Sequence, residues 1–445
     1  MMNRSLSCLP RALTLLGGCA IAACSDDASR TALREGPPPA EPEHERPQPV
    51  SEHSAISVGA SVREPARYDE ESAPVEQLPD LYDPATIPEI ALTFDAAAMA
   101  VLTSTNEADK KTWVHARLDV GGVTFADVGV RRKGSSTYRV LPEKASLKIK
   151  INKWVKGQKL HGLEELTLNN MVSDPTFLHE RLAFYTFGAM GLPAPRANTA
   201  HVTINGEDYG IFVNIETPDE NFVARAFGGK ARTLYEVKSG GSAWLPGLER
   251  YFEIDIGIPG APAGTRPDLD PLLASVANAK DETLLADLAS RLHTTQWLRH
   301  CAAEAVTGHY DGYAFGTYGF AHNYYVAGDL DGRFSMMTWS TDLTFADRGA
   351  TLVDAANPIG NTIFTRCKNS AACWDAYKAQ VASVLGVYES LDLLSVAKKW
   401  HDQIDPLVRS DPKKIRTIPY YEKETAHLYD WIAKRPAVVR TQLGL

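Results

Sequence analysis

The sequence predicts an α+β protein whose folded part consists of two lobes. Three observations lead to this prediction. The first half of the folded part is rich in short runs of β-branched residues separated by glycine turns. The second half consists mainly of segments whose apolar residues recur at helical spacing. Within that second half, HNYYVAGDLDGRFSMMTW contains two strand-like runs around a polar turn, so a β-hairpin is expected among the helices.

The N-terminus has the features of an export signal. A short apolar stretch ends in IAAC at residues 21–24, and it is well below the ~20 apolar residues that a membrane-spanning helix needs. Residues 1–23 are therefore predicted to be a lipoprotein signal peptide, with Cys24 as the lipidated residue. An ordinary cleavage site beside an incidental cysteine is the alternative. Ser25 favours sorting to an outer membrane, so we expect an exported protein anchored by lipid to the bacterial membrane.

Residues 24–88 are predicted to form an acidic, proline-rich, disordered linker. Between residues 25 and 88 the chain has 14 acidic residues against 5 lysines and arginines. Such a composition cannot bury enough apolar surface to offset the entropy lost on ordering. Most of the net charge of −9 lies in this segment. The net charge of residues 89–445 is close to zero, so no nucleic-acid-binding surface is expected.

Residues 89–216 are predicted to form the strand-rich lobe. Strand patterns occur in IALTF, WVHARLDVGGVTFADVGVRRKG and ASLKIKIN. HVTINGEDYGIFVNIE is the clearest hairpin, because Asn205-Gly206 can take the positive φ angles of a tight turn. SDPTFLHERLAFYTFGAMG has an apolar helical face, with Ser173 or Asp174 as a capping residue. We therefore expect a sheet with one packed helix.

Residues 217–445 are predicted to form a mainly helical lobe. Helical spacing is found in DETLLADLASRL, TTQWLRHCAAEAV, WDAYKAQVASVLG, SLDLLSVAKKWHDQI and residues 420–445. A strand-rich lobe followed by a helical lobe with an embedded hairpin is the layout of protein kinases. The predicted fold class is therefore α+β, two-lobed and protein-kinase-like, which at this point is a fold-level analogy.

Three cysteines remain in the folded part. Cys367 and Cys373 are close together in RCKNSAACW, and in an exported protein this spacing favours a short-loop disulfide. A zinc site is the alternative, but a second pair of ligands at suitable spacing is lacking. Cys301 lies in a predicted helix and is expected to be a buried core thiol.

Three polar residues of the second half are candidates for chemistry. Asp311 follows a predicted helix, Asn323 begins a strand, and Asp342 comes just after the paired strand. An amide and two carboxylates near one mouth of a hairpin suit a divalent cation and phosphate. The alternative is structural, with Asp311 in a turn, Asn323 as a strand cap and Asp342 as a helix cap.

An ordered series of motifs resembles the CotH kinase family of protein kinase-like phosphotransferases. The series covers nearly all of residues 89–350 and runs GVRRKGSST, EKASLKIKI, LHGLEELTLNNMVSDPTFLHERLAFYTFGAMGLPAPR, VTINGEDYGIFVNIETPDENFV, HYDGYAF, HNYYVAGDLDGRF and TWSTDLTF. The order is more specific than any single motif. The resemblance implies transfer of a phosphoryl group from ATP, with Mg²⁺ or Mn²⁺, to the hydroxyl group of a protein substrate in the cell envelope.

The resemblance also implies roles for basic residues in the first lobe. Lys144 would pair with ATP phosphates, and Glu180 would hold that lysine. An exposed helix carboxylate is the alternative for Glu180. Arg131, Arg132 and Lys133 could contact phosphate as well, or they could form a solvated basic strand end.

In the second lobe the resemblance implies a catalytic base and metal ligands. Asp311 would accept the hydroxyl proton, while Asn323 and Asp342 would bind the metal. Members of the family usually have Trp-Asp-x-Asp where this chain has WSTD, so Ser340 replaces a carboxylate. A neutral oxygen in place of an anion would weaken metal binding. Two other acidic residues could compensate, namely Asp329 and Asp347.

A function of another class stays open beside the kinase hypothesis. The protein could be a non-catalytic surface module that keeps the kinase-like fold and binds an envelope protein or a glycan. Aromatic residues near Asp311 could form the floor of a sugar-binding groove, or they could pack in the core. These aromatic residues are Tyr310, Tyr313, Phe315, Tyr318, Phe320, Tyr324 and Tyr325.

Overall fold

The computed structural model describes residues 80–315, 321–346 and 362–445 of the chain, and these residues form a mixed structure of strands and helices. The predicted signal peptide, Cys24 and most of the predicted linker lie outside the described residues. Tyr318, Phe320 and Asp347 lie outside them too. No helix in the described ranges has both the length and the apolar character needed to cross a bilayer.

The strand-rich half closes into a seven-stranded barrel instead of an open sheet. The order around the barrel is β1-β2-β3-β4-β5-β7-β6, and the barrel closes because β1 pairs parallel with β6. All other neighbours are antiparallel. The strands are β1 Glu89–Thr93, β2 Val114–Val120, β3 Val123–Arg132, β4 Leu147–Lys150, β5 Glu165–Asn169, β6 Ala197–Ile204 and β7 Glu207–Glu216.

Hairpin turns in the barrel follow the sequence prediction. Asn205 and Gly206 have φ angles of 51° and 80° and connect β6 to β7, as expected for a tight two-residue turn. Strand β2 alternates between buried and exposed residues, because one face lies against the core of the barrel. That core is built from apolar side chains such as Leu118, Ile149 and Val202.

The predicted linker ends earlier than expected, since residues 80–88 pack on the barrel. Leu81 and Tyr82 are buried there, where disorder was expected. The Asn198 side-chain amide donates hydrogen bonds to the backbone carbonyls of Asp83 at 2.7 Å and of Thr86 at 2.9 Å. Backbone polar groups paired in this way and two buried apolar side chains fix the segment.

The second half contains a four-stranded antiparallel sheet surrounded by helices. Its strand order is β11-β10-β8-β9, so the predicted hairpin, β10–β11, joins two strands that the sequence analysis missed. The four strands are β8 Ala231–Val237, β9 Phe252–Ile256, β10 Tyr324–Asp329 and β11 Phe334–Thr338. The mixed α+β class is therefore observed, with a barrel and a second sheet as its β components.

The described helices include the five predicted in the second half, although the first of these is much shorter than expected. Helix α6 is central, and its side chains Trp297, Cys301 and Glu304 are fully buried. The helices are α1 Ala96–Thr103, α2 His179–Ala189, α3 Glu220–Ala226, α4 Leu269–Asn278, α5 Leu284–Leu288, α6 Thr294–Thr307, α7 Thr362–Asn369, α8 Ala371–Ser390, α9 Leu393–Ser410 and α10 Ile418–Leu443.

The cysteines are placed as the sequence suggested. A disulfide joins Cys367 of α7 to Cys373 of α8, with the two Cα atoms 5.0 Å apart. Cys301 is a free thiol in the described part of the chain and is fully buried. Burial raises the pKa of Cys301, so this thiol is a packing residue and not a reactive one.

A buried ion pair connects the barrel to the C-terminal helices. Lys144, which precedes β4, contacts the carboxylate of Asp411 just after α9, and both side chains are fully buried. Asp411 also accepts hydrogen bonds from the backbone N–H groups of Ile211 and Lys413, at 3.3 and 2.7 Å. A Cβ atom at Gly210 would lie 2.0 Å from the Asp411 carboxyl carbon, so the close approach requires glycine there.

We expect the substitution Asp411→Asn to destabilise the fold strongly, because it leaves the Lys144 ammonium buried without an anion. A loss of about 3–5 kcal/mol in the free energy of unfolding is typical of such a change. Urea denaturation of the purified protein measures it. The matched control is Asp430→Asn in the exposed Asp430–Lys434 pair, where a loss below about 1 kcal/mol is expected. Equal losses in the two variants would contradict the importance of the buried pair.

Candidate functional site

A polar cavity of about 540 Å³ lies between the barrel and the second sheet. From the barrel side it is lined by the turn after β3 and by the residues that follow β5. From the other side it is lined by the loop after α6 and by the mouth of the β10–β11 hairpin. Asp311, Asn323 and Asp342, the three residues proposed for chemistry from the sequence, all line this cavity.

Asp311 and Asn323 are held together directly. The Asn323 side-chain amide donates to the Asp311 carboxylate at 2.7 Å and to the Asp311 backbone carbonyl at 2.9 Å. The second carboxylate oxygen of Asp311 lies 3.1 Å from Nε2 of His322. Asn323 has a φ of 58°, a left-handed conformation that asparagine tolerates better than most residues. The Asp311 carboxylate is thus oriented by two neighbours.

Glu304 fixes the loop that carries Asp311. Its carboxylate accepts hydrogen bonds from the backbone N–H groups of Tyr313 at 2.9 Å and Ala314 at 2.6 Å, and it lies 3.1 Å from His300. Burial raises the pKa of Glu304, but the hydrogen bond with His300 and other favourable contacts outweigh burial and hold the pKa below its usual value. Glu304 is therefore an ionised, buried anchor beneath the Asp311 loop, and the sequence analysis did not single it out.

Asp342 faces the cavity from the segment after β11. Burial, and then the negative charge of Asp311, raise the pKa of Asp342 to about 6. A hydrogen bond with Ser173 acts in the opposite direction. The Ser340 hydroxyl is 3.4 Å from the Asp342 carboxylate and also lines the cavity. Asp342 is thus a carboxylate that is mainly ionised only above about pH 6, and a nearby cation would favour its ionised form.

A chain of three side chains reaches the cavity from the barrel. The ammonium group of Lys133 donates to the amide oxygen of Asn169, and the amide nitrogen of Asn169 donates to the Glu180 carboxylate at 2.7 Å. Glu180 is fully buried, and burial followed by the charge of Asp342 raises its pKa to about 8. Its Oε1 atom has no hydrogen-bond partner among the described residues. Lys133 and Glu180 both line the cavity.

The expected pairing of Lys144 with Glu180 is wrong. The Lys144 amine is bound by Asp411 and lies between the rings of Phe177 and Phe212, outside the cavity lining. The alternative for Glu180, an exposed helix carboxylate, is wrong too. Lys133 comes close to Glu180 through Asn169, so it occupies the position that the sequence analysis gave to Lys144.

Arg131 and Arg132 do not line the cavity either. The guanidinium group of Arg131 lies over the Trp113 ring at 5.1 Å. Arg132 is buried and donates hydrogen bonds to the backbone carbonyls of Ser104 and Asp109, at 2.6 and 3.0 Å. Because consecutive residues of a strand point to opposite faces, these basic residues cannot share one target. Both arginines have structural contacts here.

The described aromatic residues among those proposed near Asp311 pack in the core and do not form a groove. Of the seven proposed for a sugar-binding floor, the five that the structure describes are all buried. They are Tyr310, Tyr313, Phe315, Tyr324 and Tyr325. The core alternative is therefore correct for these five, and nothing in the described part of the chain supports a sugar-binding floor built from them.

The residues of the cavity fit a hard divalent cation only in combination with further oxygen ligands. No three His, Cys, Asp or Glu side chains are grouped as a metal site in the described ranges. Asp311, Asp342 and Asn323, which carry carboxylate and amide oxygens, nevertheless line one cavity. Glu180 lines it too, and its buried Oε1 has no hydrogen-bond partner among the described residues. Mg²⁺ binds in this way in phosphotransferases, through one or two carboxylates with phosphate and water oxygens completing the shell.

Asp329 does not compensate for Ser340. Its carboxylate lies 2.8 Å from His293 and accepts hydrogen bonds from the backbone N–H groups of Asp331 and Arg333. These contacts hold the hairpin turn, outside the lining of the cavity. Asp347 lies outside the described residues.

Comparison with known proteins gives the family. A model of the family described as CotH kinase protein matches residues 130–439. The chain belongs to the CotH kinase family. Inner spore coat protein H of Bacillus subtilis (strain 168) is 23% identical over 299 residues, which cover 64% of this chain and 80% of that protein. The inner spore coat protein H-like protein of the same organism is 39% identical over 80 residues, 18% of this chain and 24% of that protein.

The CotH match covers more of the chain than the motifs did. It extends past residue 350 to residue 439, so the C-terminal helices belong to the family domain. Asp411, which binds Lys144, lies inside this range. Every residue that lines the polar cavity lies inside the range as well. The cavity is thus a feature of the CotH domain itself.

The raised pKa of Glu180 predicts how stability depends on pH. Its folded-state pKa of about 8 exceeds the ordinary 4.5, so the protonated form stabilises the fold, fully below pH ~4.5. This contribution is lost as the pH rises towards 8. In EDTA, wild-type protein should therefore lose on the order of a few kcal/mol relative to Glu180→Gln between pH 5 and pH 8.

The measurement is the free energy of unfolding of both proteins across that pH range. The control is Glu107→Gln, which removes a carboxylate with a side chain that is 83% exposed and should leave the pH dependence unchanged. Parallel curves for wild type and Glu180→Gln would show that the buried carboxyl does not titrate in this window.

Proposed function

We propose that the protein is a metal-dependent phosphotransferase that moves the γ-phosphoryl group of ATP to a hydroxyl group of a protein substrate. The single observation that carries this proposal is the cavity in which Asp311, Asn323 and Asp342 meet Lys133 and Glu180. Membership in a family described as kinase proteins supports the same chemistry. Phosphoryl transfer depends mainly on positioning and charge stabilisation, and this is what such a set of side chains supplies.

Asp311 is the proposed catalytic base. Asn323 and His322 orient its carboxylate, so one oxygen can accept the proton of an incoming hydroxyl group while the loop stays fixed. Glu304 is a positioning residue that acts on this loop through two backbone N–H groups. The Asp311 carboxylate is therefore held in place before a substrate binds in the cavity.

Asp342 and Asn323 are the proposed ligands of Mg²⁺ or Mn²⁺. The cation would neutralise phosphate oxygens of the nucleotide during transfer. Lys133 is the proposed phosphate contact in place of Lys144, because its ammonium group lines the cavity. The turn of Gly134 and Ser135 next to it also lines the cavity and can present backbone N–H groups to an anion.

The barrel and the second half are proposed to correspond to the two lobes of a kinase-like fold. The barrel side supplies Lys133 and Glu180, and the side of the second sheet supplies Asp311, Asn323 and Asp342. A cleft between two such bodies is where protein kinases hold nucleotide and metal. The seven-stranded closure of the barrel is the main departure from the open sheet that this comparison suggested.

The protein is also proposed to act outside the cytoplasm. One relative is named as an inner spore coat protein, and a coat is a surface structure. The predicted signal peptide and lipidation at Cys24 agree with export, as does the disulfide between Cys367 and Cys373. The protein substrate would then belong to the cell envelope, and ATP would have to reach that compartment.

Variants of Lys133 and Asp311 test whether the polar cavity is the site of phosphoryl transfer. Lys133→Met should lower phosphate transfer from radiolabelled ATP by roughly a hundredfold or more, since a charge at the phosphates is lost. Asp311→Asn should reduce transfer to a similar degree. Lys150→Met, a change of a half-buried lysine that pairs with Glu165 on the barrel and lies outside the cavity lining, is the matched control and should retain full activity. Undiminished transfer by Asp311→Asn with Mg²⁺ or Mn²⁺ would exclude the proposed site.

A second candidate function, a non-catalytic surface module that binds an envelope protein or glycan, is favoured by one observation. Ser340 lines the cavity at a position where members of the family usually have a carboxylate. A hydroxyl group binds Mg²⁺ more weakly than an anion does, so the loss of a charged ligand could have ended catalysis while the fold was kept.

Restoring the carboxylate separates these two functions. Ser340→Asp should tighten Mn²⁺ binding by about tenfold, because an anionic oxygen joins Asp342 at the cavity. The φ of 49° at Ser340 is one that aspartate tolerates. Titration calorimetry measures the affinity, with Ser383→Asp at an exposed position of helix α8, outside the cavity lining, as the control. Mn²⁺ binding by neither wild type nor Ser340→Asp would favour the non-catalytic module.

A further inference from the structure

A second cavity, of about 340 Å³, lies on the side of helix α2 away from the polar cavity. Its walls are the C-terminal part of α2, the segment before β6, part of α9 and residues 82–84. Aromatic side chains dominate the walls, namely those of Tyr82, Phe184, Tyr185 and Trp400. A largely apolar groove of this size, open to solvent beside Tyr185 and Gly188, suits the body of a small organic molecule.

The charged residues among the described lining are all arginines. Arg181, Arg196 and Arg225 line the cavity, and no carboxylate is among the described lining residues. Arg196 and Arg225 share one carboxylate, that of Glu216, which lies behind the wall. Arg196 also contacts the Asp80 carboxylate at 3.5 Å, so two carboxylates balance these two guanidinium groups. The cation of this wall that lacks a carboxylate partner among the described residues is therefore Arg181.

Arg181 is a buried cation without an anionic partner. Only 1% of its surface is exposed, and no described carboxylate forms an ion pair with it. Its terminal nitrogens reach Thr199 at 2.9 Å and Gln403 at 3.4 Å, both neutral, and its Nε has no hydrogen-bond partner among the described residues. The guanidinium plane rests on the ring of Trp400, with the carbon 4.4 Å from the ring centroid.

Such an arrangement costs free energy unless an anion completes it. Taking a charge out of water is expensive, and here neutral groups and one aromatic face repay only part of that cost. Burial accordingly lowers the pKa of Arg181 to about 9. The rigid fork of a guanidinium group matches a carboxylate or a phosphate, and Nε is one of the nitrogens that such an anion uses.

We infer that this cavity binds a small organic anion with a carboxylate or phosphate head on an aromatic or branched apolar body. The head would meet Arg181, which is buried, aromatic-stacked and incompletely hydrogen-bonded. The apolar body would lie against Tyr185 and Phe184. This inference does not rest on the proposed phosphotransferase function, because none of these residues lines the polar cavity.

The experiment measures binding of defined probes to the intact purified protein by titration calorimetry. The probes are 3-phenylpropionate and phenyl phosphate, with neutral 3-phenylpropanamide as the isosteric comparison. Both anions should bind at least roughly tenfold more tightly than the amide, since only they can pair with the guanidinium group. The tighter of the two anions identifies the head group that the cavity prefers.

Two variants locate the binding. Arg181→Gln removes the charge and should weaken anion binding by roughly tenfold or more. Gly188→Leu fills the cavity from helix α2, where a Cβ atom would meet nothing within 4 Å, so the fold should be retained. Gly386→Leu is the matched control, because it makes the same change at an open position of helix α8, outside the cavity.

The expected result is loss of anion binding in Gly188→Leu and unchanged binding in Gly386→Leu, with circular dichroism showing that both variants are folded. No binding of either anion, equal affinity for the anions and the amide, or wild-type affinity in Gly188→Leu would each overturn the inference. So would an unchanged affinity in folded Arg181→Gln. Phosphate transfer plays no part in this readout, so failure here leaves the proposed function untouched.

Discussion

Negative charge held close together under burial is the constraint on which the polar cavity depends. Asp342 is partly desolvated beside Asp311, and Glu180 is fully buried beside Asp342, so each carboxylate raises the cost of ionising the next. Lys133 offsets part of this repulsion, although it reaches Glu180 only through Asn169. A divalent cation would offset the remaining repulsion between the carboxylates. If a cation binds, we therefore expect protons to be released at the same time.

This arrangement is supported by contacts between residues that do not line the cavity. Both carboxylate oxygens of Glu304 have hydrogen-bond partners, in His300 and in the backbone of the Asp311 loop. Lys144 and Asp411 tie the barrel to the C-terminal helices. These two buried charges are satisfied by the protein alone, whereas Glu180 has an oxygen left over. This difference separates Glu304, a structural charge, from Glu180, a candidate functional group of the same residue type.

Much of the architecture followed from local patterns, and the failures have physical causes. Turn chemistry identified the Asn205-Gly206 hairpin, and helical spacing identified α6, α8, α9 and α10, because both signals are short-range. Barrel closure was missed because the parallel pairing of β1 with β6 joins residues over a hundred positions apart. The sequence analysis grouped Asp311, Asn323 and Asp342 near one mouth of the predicted hairpin, and all three line one cavity, while their roles stay predictions. The phosphate contact was assigned to Lys144 instead of Lys133, because the partner of each lysine could not be read from the sequence. Asp411, which binds Lys144, lies 267 residues away along the chain.

Helix α2 places the two cavities back to back. Glu180 and Arg181 are consecutive, and successive side chains on a helix diverge by about 100°, so one lines the polar cavity while the other lines the apolar one. Each is a buried titratable group with an unpartnered atom. Because burial raises the pKa of Glu180 to about 8, its carboxyl is mostly protonated at neutral pH, whereas Arg181, with a pKa of about 9, stays mostly a cation. The two faces of helix α2 therefore differ in charge, and this difference is the reason for proposing a metal with nucleotide on one side and an organic anion on the other.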